Sequence, residues 1–301
     1  MIRIRITDTH IKNGKLDQAA LAAFGADAVE FEGDKIIFKS YVIFSECESL
    51  FSVAGVTFNS HVEFYYCDNL VSLDGATFNG SVEFWHCKSL TSVAGTTFYG
   101  NVEFCKCYNL SSVGGATFNG GVLFWWCDSL SSVDGATFNG TVRFSACDNL
   151  TAIAGASFNG NVEFWQCDNL SSVKGATFNG GVVFWYCDSL ALVSGATFDG
   201  YVDFRDCDSL VSVDGATFNY GATFIKCGLL VSVAGATFNG EVKFWYCDSL
   251  TSVSGATFNG EVNFNNCDAL ASVSGATFKL GFKAYSCPNL KQHDLKQKDL
   301  K

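Results

Sequence analysis

Apolar and polar positions alternate along most of this chain in a pattern with a 20-residue period. One copy begins with VEFWHCKSL at Val82, where the apolar side chains stand two and three positions apart. Cysteine fills one position of the pattern from Cys47 to Cys287, and leucine fills another from Leu50 to Leu290. Because this register continues without an insertion, the chain is predicted to stack like units.

The segment VEF alternates apolar, polar and apolar residues, as a strand with one buried face does. The segments between these strands are rich in β-branched residues and poor in helix formers, which favours extended segments and tight turns. A single unit of this length cannot bury its own core, whereas stacked coils bury the same side chains as continuous columns. The pattern therefore predicts an all-β fold, a right-handed parallel β-solenoid of about 13 coils.

The two ends of the chain depart from the repeat. Residues 1–40 contain the strand-like segments IRIRI, AVEF and KIIF and a short helical segment, LDQAALAAF, that ends at Gly25. We interpret them as an N-terminal cap that covers the first coil, because an uncovered strand edge pairs with other chains. Residues 41–290 form the predicted solenoid, and residues 291–301 are a charged C-terminal tail.

The pattern V-x-F-x-x-C-x-x-L, as in Val162, Phe164, Cys167 and Leu170, resembles the L-x-L-x-x-C-x-x-L core of cysteine-containing leucine-rich repeats of the bacterial type. The resemblance covers roughly residues 41–290. It implies that the variable strand positions line a face that binds a partner. The chain departs from that family in its short unit, in its phenylalanines and in its lack of a helical convex side.

Four positions of each copy vary: the one before the valine, the one between valine and phenylalanine, and the two between phenylalanine and cysteine. We predict that all of them point to solvent on one sheet. Drift on such a face would yield polar and charged residues such as Ser, Thr, Lys, Glu and Asn, yet all six tryptophans of the chain lie there, which indicates a binding surface. Aromatic bracing between neighbouring strands is the alternative. The predicted ligand-binding residues are Tyr65, Tyr66, Glu83, Trp85, His86, Trp125, Trp126, Glu163, Trp165, Gln166, Trp185, Tyr186, Trp245 and Tyr246.

Composition narrows the choice of partner. Asp and Glu number 30 against 19 Lys and Arg, so a net charge of −11 argues against nucleic acid and anionic membranes. Carboxylates also occupy the position between valine and phenylalanine, at Glu63, Glu83, Glu103, Glu163 and Asp203. The first N-terminal residues lack the apolar region of a Sec signal and no run is long enough to span a membrane, so we expect a cytoplasmic protein with reduced thiols, with non-classical export left open.

The cysteines are predicted to be small buried hydrophobic side chains, because one thiol per coil does not supply four converging zinc ligands. Cys105 occupies a variable outward position and is predicted to be an exposed, reactive thiol. The four histidines, His10, His61, His86 and His293, lie in different contexts, and no catalytic motif is present. We therefore expect no enzyme activity, no cofactor and no metal site.

Taken together, the sequence predicts a non-enzymatic recognition scaffold whose aromatic and acidic face binds a protein or peptide, basic or amphipathic in character. Carbohydrate is the leading other ligand, since sugars stack on aromatic rings. A second class is an ice-binding solenoid, which would use the threonine column from Thr57 to Thr277, interrupted at Ser157, and the parallel asparagine column. A structural rod that self-associates end to end or face to face is the third.

Overall fold

A computed structural model describes residues 3–151 and 153–291. The chain is a repeat-based parallel β-solenoid with a 20-residue period and about 12 turns. It divides into two compact units, Met1–Asn149 and Leu150–Lys301. The predicted tail, apart from Lys291, and His293 within it lie outside the described residues.

The described part of the first unit contains 16 strands, one α-helix and two 3₁₀ helices, at Asp8–His10 and Ala22–Phe24. Its elements are β1 Arg3–Ile6, β2 Ile11–Lys12, β3 Lys15–Leu16, α1 Gln18–Leu21, β4 Val29–Glu32, β5 Lys35–Phe38, β6 Tyr41–Ser45, β7 Thr57–Phe58, β8 Val62–Tyr65, β9 Thr77–Phe78, β10 Val82–Trp85, β11 Thr97–Phe98, β12 Val102–Cys105, β13 Thr117–Phe118, β14 Val122–Trp125, β15 Thr137–Phe138 and β16 Val142–Ser145.

The described part of the second unit continues the same alternation of short and long strands. Its strands are β17 Ser157–Phe158, β18 Val162–Trp165, β19 Thr177–Phe178, β20 Val182–Trp185, β21 Thr197–Phe198, β22 Val202–Arg205, β23 Thr217–Phe218, β24 Ala222–Ile225, β25 Thr237–Phe238, β26 Val242–Trp245, β27 Thr257–Phe258, β28 Val262–Asn265, β29 Thr277–Phe278 and β30 Phe282–Tyr285.

Each coil contributes a long strand and a short strand, and each pairs in parallel with the equivalent strand of the next coil. In the first unit Val82 pairs with Val102 and Phe84 with Phe104, so the register equals the sequence repeat. A third contact between coils is a single parallel bridge, such as Ser92 with Ser112. Equivalent residues therefore form columns inside each unit.

The core of each coil is filled by two phenylalanine columns together with the valine, cysteine and leucine columns. Neighbouring rings within a column stack, as Phe84 and Phe104 do with centroids 5.1 Å apart, and rings of the two columns meet edge to face, as Phe98 and Phe104 do. Both arrangements suit the quadrupole of the ring. These three rings are fully buried, as are their equivalents in most other coils.

The N-terminal residues contain strands at the predicted segments IRIRI, AVEF and KIIF and a four-residue α-helix within LDQAALAAF. Strand β1 pairs in parallel with β6, and β4 and β5 form an antiparallel hairpin whose second strand pairs with β7. The Asp17 carboxylate accepts a hydrogen bond from the backbone N–H of Ala19 at the start of α1. The following 3₁₀ turn ends at Gly25, which has a φ of 80°.

Candidate functional site

The outward positions of the long strands form the candidate site. On β10, Val82 and Phe84 are buried, whereas Glu83 and Trp85 are partly exposed, and most of the other long strands repeat this pattern. Trp85 pairs with Tyr65 on β8 and with Cys105 on β12, so each outward position continues into the next coil. The alternation predicted from VEF is confirmed.

The residue after each long strand, which we name the turn position, adopts an unusual backbone conformation. Its φ lies between 50° and 57° in every coil, in the left-handed region. None of these residues is glycine, although only glycine occupies this region without a steric cost. The turn positions are Glu46, Tyr66, His86, Lys106, Trp126, Ala146, Gln166, Tyr186, Asp206, Lys226, Tyr246, Asn266 and Ser286.

This conformation explains why two consecutive side chains both reach solvent. In a continuous strand the residue after Trp125 would point into the core. Because φ is 53° at Trp126, the chain turns there, Trp126 stays exposed and Cys127 enters the core. The backbone ladder is kept, since the Trp126 N–H donates to the Ser145 carbonyl at 3.1 Å.

The predicted aromatic residues of the first unit form what we name the first aromatic cluster: Tyr65, Tyr66, Trp85, His86, Trp125 and Trp126. The Tyr66 and His86 rings stack with centroids 4.7 Å apart and are nearly parallel, with an interplanar angle of 7°. Partial burial, and then the nearby Lys106 ammonium, lower the pKa of His86. The Lys106 ammonium lies 4.9 Å from the ring centroid of Trp126, a side chain that remains 41% exposed.

In the second unit the predicted residues, which we name the second aromatic cluster, lie in two groups: Trp165, Gln166, Trp185 and Tyr186 on adjacent coils, and Trp245 and Tyr246 three coils beyond Trp185. Trp165 pairs with Trp185 on the neighbouring strand, and it is 43% exposed. Tyr186 and Tyr246, both at turn positions, are also exposed, whereas Trp185 and Trp245 are half-buried. Among the described residues the indole N–H of Trp245 has no hydrogen-bond partner.

One arrangement in the second cluster brings a cation, a carboxylate and an indole together. The Arg205 guanidinium lies 4.9 Å from the ring centroid of Trp185. It also lies 3.3 Å from the Asp203 carboxylate, which accepts a hydrogen bond from the Trp185 indole N–H at 3.2 Å. The chain therefore contains its own example of cation binding on this surface.

Carboxylates line the same strands, one residue before the buried phenylalanine. Glu63, Glu83 and Glu103 are in register on β8, β10 and β12, and all three are half-buried. Burial, followed by the adjacent Glu83 carboxylate, raises the pKa of Glu103. Glu83 accepts a hydrogen bond from the Trp85 indole N–H at 3.2 Å, so acid and aromatic positions contact each other. In the second unit Glu163 and Asp203 occupy this position and are half-buried as well.

The cysteine column is buried, with Cys287 more accessible than the others, and all fourteen cysteines are free. Most thiols of the column lie near a carbonyl of the preceding coil, as Cys107 does at 3.5 Å from the Phe84 oxygen. The prediction that Cys105 is an exposed, reactive thiol is wrong. Cys105 lies between Trp85 and Trp125 on the neighbouring strands, and these large side chains leave it 1% exposed. Burial, and then the Glu103 carboxylate, raise the pKa of Cys105 to about 12.

The asparagine column that follows the short strands is a hydrogen-bonded ladder. The Asn79 amide donates to the Asn59 carbonyl oxygen at 2.8 Å, and Asn239 and Asn259 repeat this contact in the second unit. The threonines beside them range from buried, at Thr57, to exposed, at Thr177 and Thr197. The amides thus bond to each other along the column.

His61 was not among the predicted site residues, yet it lies against two of the glutamates. Its imidazole approaches both Glu63 and Glu83. The sequence signal is HVE at positions 61–63 followed by a second glutamate at the equivalent position of the next coil. This signal can be recognised only when residues 20 positions apart in the sequence are treated as spatial neighbours.

Comparison of the chain with protein-family models, with curated proteins and with solved structures found no match. Within the described residues, every helix falls short of the length and apolar character that a membrane crossing requires.

Proposed function

We propose that this protein is a non-enzymatic recognition scaffold that binds basic protein or peptide segments through the aromatic cluster of each unit and the carboxylates beside it. The observation that carries the proposal is the turn position. Thirteen consecutive coils keep a non-glycine residue in the left-handed region, and four of these residues are large exposed aromatics. A left-handed non-glycine residue costs roughly 1–2 kcal/mol, so retaining the side chain argues for a use of that side chain.

The chemistry of the partner follows from the contacts that the surface already makes. Arg205 on Trp185 and Lys106 on Trp126 are cations over indole rings. Arg205 also forms an ion pair with the Asp203 carboxylate. In the first aromatic cluster the Trp85 and Glu83 pair offers an indole and a carboxylate together. Lys and Arg side chains of a partner fit such pairs through cation–π contact and ionic hydrogen bonds.

The test is a titration of the purified full chain with three kinds of probe while tryptophan fluorescence is recorded. The probes are an amphipathic Lys- and Arg-rich peptide, the same peptide with Glu in place of the basic residues, and a panel of oligosaccharides. We expect the basic peptide to shift and quench the emission, and to bind more weakly at high salt because exposed charges are screened.

Paired glycine substitutions locate the binding. The double variants Tyr66→Gly with Trp126→Gly, and Tyr186→Gly with Tyr246→Gly, each remove two aromatic side chains without imposing a backbone conflict at the turn. Loss of a central aromatic anchor is expected to weaken binding about tenfold or more. Ala146→Gly is the matched control, because it makes the same backbone change at a turn position without an aromatic ring.

The other candidate functions give different outcomes in the same experiment. Response to oligosaccharides alone would assign the face to carbohydrate. Response to no probe, with emission already blue, would favour a structural rod in which the indoles are covered. Thr117→Val with Thr137→Val tests the ice-binding alternative, which needs the threonines and not the aromatics. The asparagine ladder weakens that alternative, because its amides bond to one another.

We further propose a relationship to short cysteine-containing leucine-rich repeats. The residues that carry the resemblance, such as Val162, Phe164, Cys167 and Leu170, are all fully buried, as the resemblance implies. In place of a helix, each coil has a two-residue strand such as Thr177–Phe178. The column of free, buried thiols also supports our proposal of a reducing compartment, where disulfides do not form.

A further inference from the structure

We infer that His61, Glu63 and Glu83 form a binding site for a divalent transition-metal ion of the Zn²⁺ class on the outer face of the first unit. The His61 Nε2 atom lies 3.4 Å from the Glu63 Oε1 atom and 3.5 Å from the Glu83 Oε1 atom. The three ligand atoms all lie within 4.8 Å of one another. This inference does not depend on the proposed peptide function.

The spacing of the ligand atoms suits a metal ion better than a direct hydrogen bond. Ordinary N–H···O hydrogen bonds have a separation of about 2.9–3.0 Å, shorter than both distances at His61. Zinc bonds to nitrogen and oxygen are about 2.0–2.2 Å long, which places two ligands of a tetrahedral ion roughly 3.3–3.5 Å apart. The separations of 3.4 Å and 3.5 Å fall within that span.

The fold positions these three side chains before any ion binds. His61 directly precedes β8, Glu63 is an outward residue of β8, and Glu83 is its registered partner on β10. Imidazole and carboxylate are both common zinc ligands. The sequence repeat places carboxylates one coil apart, while a histidine just before the valine occurs only in this coil.

Tyr41 holds the cluster from the preceding coil. Its hydroxyl donates a hydrogen bond to the Glu63 Oε1 atom, and its ring lies edge-on to His61 with centroids 4.8 Å apart. A hydrogen bond to a ligating carboxylate fixes its orientation, and such outer contacts are a regular feature of metal sites.

The charge around the cluster also favours a cation. Glu103 continues the carboxylate column on β12, next to Glu83. Arg3 lies 4.0 Å from the Glu63 Oε1 atom with its side chain largely exposed, and it donates to the Tyr41 hydroxyl at 2.9 Å. Its guanidinium therefore offsets only part of the negative charge. Three protein ligands leave one tetrahedral position for water or for a donor group of a bound molecule.

The experiment is a titration of the reduced full chain with Zn²⁺ by calorimetry and with Co²⁺ by visible absorption. We expect one equivalent of each metal to bind, with Co²⁺ d–d bands typical of nitrogen and oxygen ligands and no sulfur charge-transfer band. His61→Gln and Glu83→Gln should each weaken binding about 100-fold or more. Tyr41→Phe, which removes only an outer contact, should weaken it about 10- to 100-fold.

His86→Gln is the matched control, because His86 lies on the same face but is not one of the three proposed ligands. The affinity of this variant for Zn²⁺ should equal that of the parent. Circular dichroism of each variant reports whether the solenoid is intact. Absence of a one-equivalent event in the parent would overturn the inference. So would an event that His61→Gln and Glu83→Gln leave unchanged, or one that carries a sulfur charge-transfer band.

Discussion

At the residue scale, glycine substitution at a turn position tests two things: how much the left-handed backbone conformation costs, and whether the side chain contributes to stability. Tyr66→Gly removes a ring from the proposed binding face and relieves the left-handed strain at a φ of 52°. Glycine recovers roughly 1–2 kcal/mol of strain and loses about 0.5–1 kcal/mol through the greater freedom of the unfolded chain. We therefore expect the free energy of unfolding to stay the same or rise by about 1 kcal/mol, measured by urea denaturation.

Tyr66→Ala provides the comparison, because it also removes the ring but keeps the strain. The alanine variant should be about 1 kcal/mol less stable than the glycine variant. If both substitutions destabilised the protein equally and by more than that difference, the stack of Tyr66 on His86 would be bracing the sheet, and the binding role of the ring would lose its support.

The sequence predicted part of this residue pattern and missed part of it. Alternation in VEF correctly assigned Glu83 and Trp85 to the outward face, because side chains on a strand alternate strictly. It could not show that His86 sits in a left-handed turn, since no glycine marks the turn. Burial of Cys105 was missed for another reason: it depends on Trp85 and Trp125, which lie one coil away on each side.

At the element scale, two glycines of one coil test what fixes the stacking distance. A Cβ added at Gly120 would lie 2.5 Å from the backbone carbonyl carbon of Gly100, so the coils would have to separate. A Cβ at Gly115 would meet nothing within 4 Å, and only its φ of 68° would oppose it. We expect Gly120→Ala to lower the free energy of unfolding by about 3 kcal/mol or more, and Gly115→Ala by roughly 1–2 kcal/mol.

Urea denaturation of the two single variants measures this difference, and because both substitutions are glycine to alanine, their effects on the unfolded chain cancel in the comparison. Equal losses would mean that the coils adjust to a methyl group without cost. The stacking distance would then be set by the strand ladders and the phenylalanine columns, and not by contact between backbones at Gly120.

Most of the elements could be predicted from the sequence because the same short alternating pattern recurs in most copies of the repeat. A single VEF is too short to identify a strand, yet its recurrence at a constant spacing identified the long strands and the parallel stacking. The antiparallel pairing of β4 with β5 could not be predicted, since AVEF and KIIF occur once and contain no repeat to give their register. The proximity of His61 to Glu63 and Glu83 could not be predicted from a single copy of the repeat, because the three residues belong to two coils.

At the scale of the whole molecule, the buried thiols are expected to make the protein less stable as the pH becomes alkaline. Burial is the main cause that raises the pKa of Cys147 to about 12 and that of Cys207 to about 12, from an ordinary value of 9.0. In the unfolded chain these thiols ionise near their ordinary value, whereas in the folded protein they stay neutral. The contribution of each thiol to the free energy of unfolding is therefore complete below pH 9 and is lost as the pH rises from 9 towards 12.

Each thiol of this kind lowers the free energy of unfolding by about 1.4 kcal/mol per pH unit in that range, and the contributions of the two units add to the total. We expect the thermal midpoint, measured with a reductant present, to be constant from pH 7 to about 9 and to fall steeply above it. Cys147→Ala with Cys207→Ala should start from a lower midpoint at pH 7, because two buried side chains become smaller, and should fall less steeply above pH 9. Two outcomes would contradict this prediction: a thermal midpoint of the parent that stays constant up to pH 10.5, or a midpoint of the double variant that falls with pH as steeply as that of the parent. Either would show that the thiols have the same pKa in the folded and unfolded chains, so that their burial does not limit stability at alkaline pH.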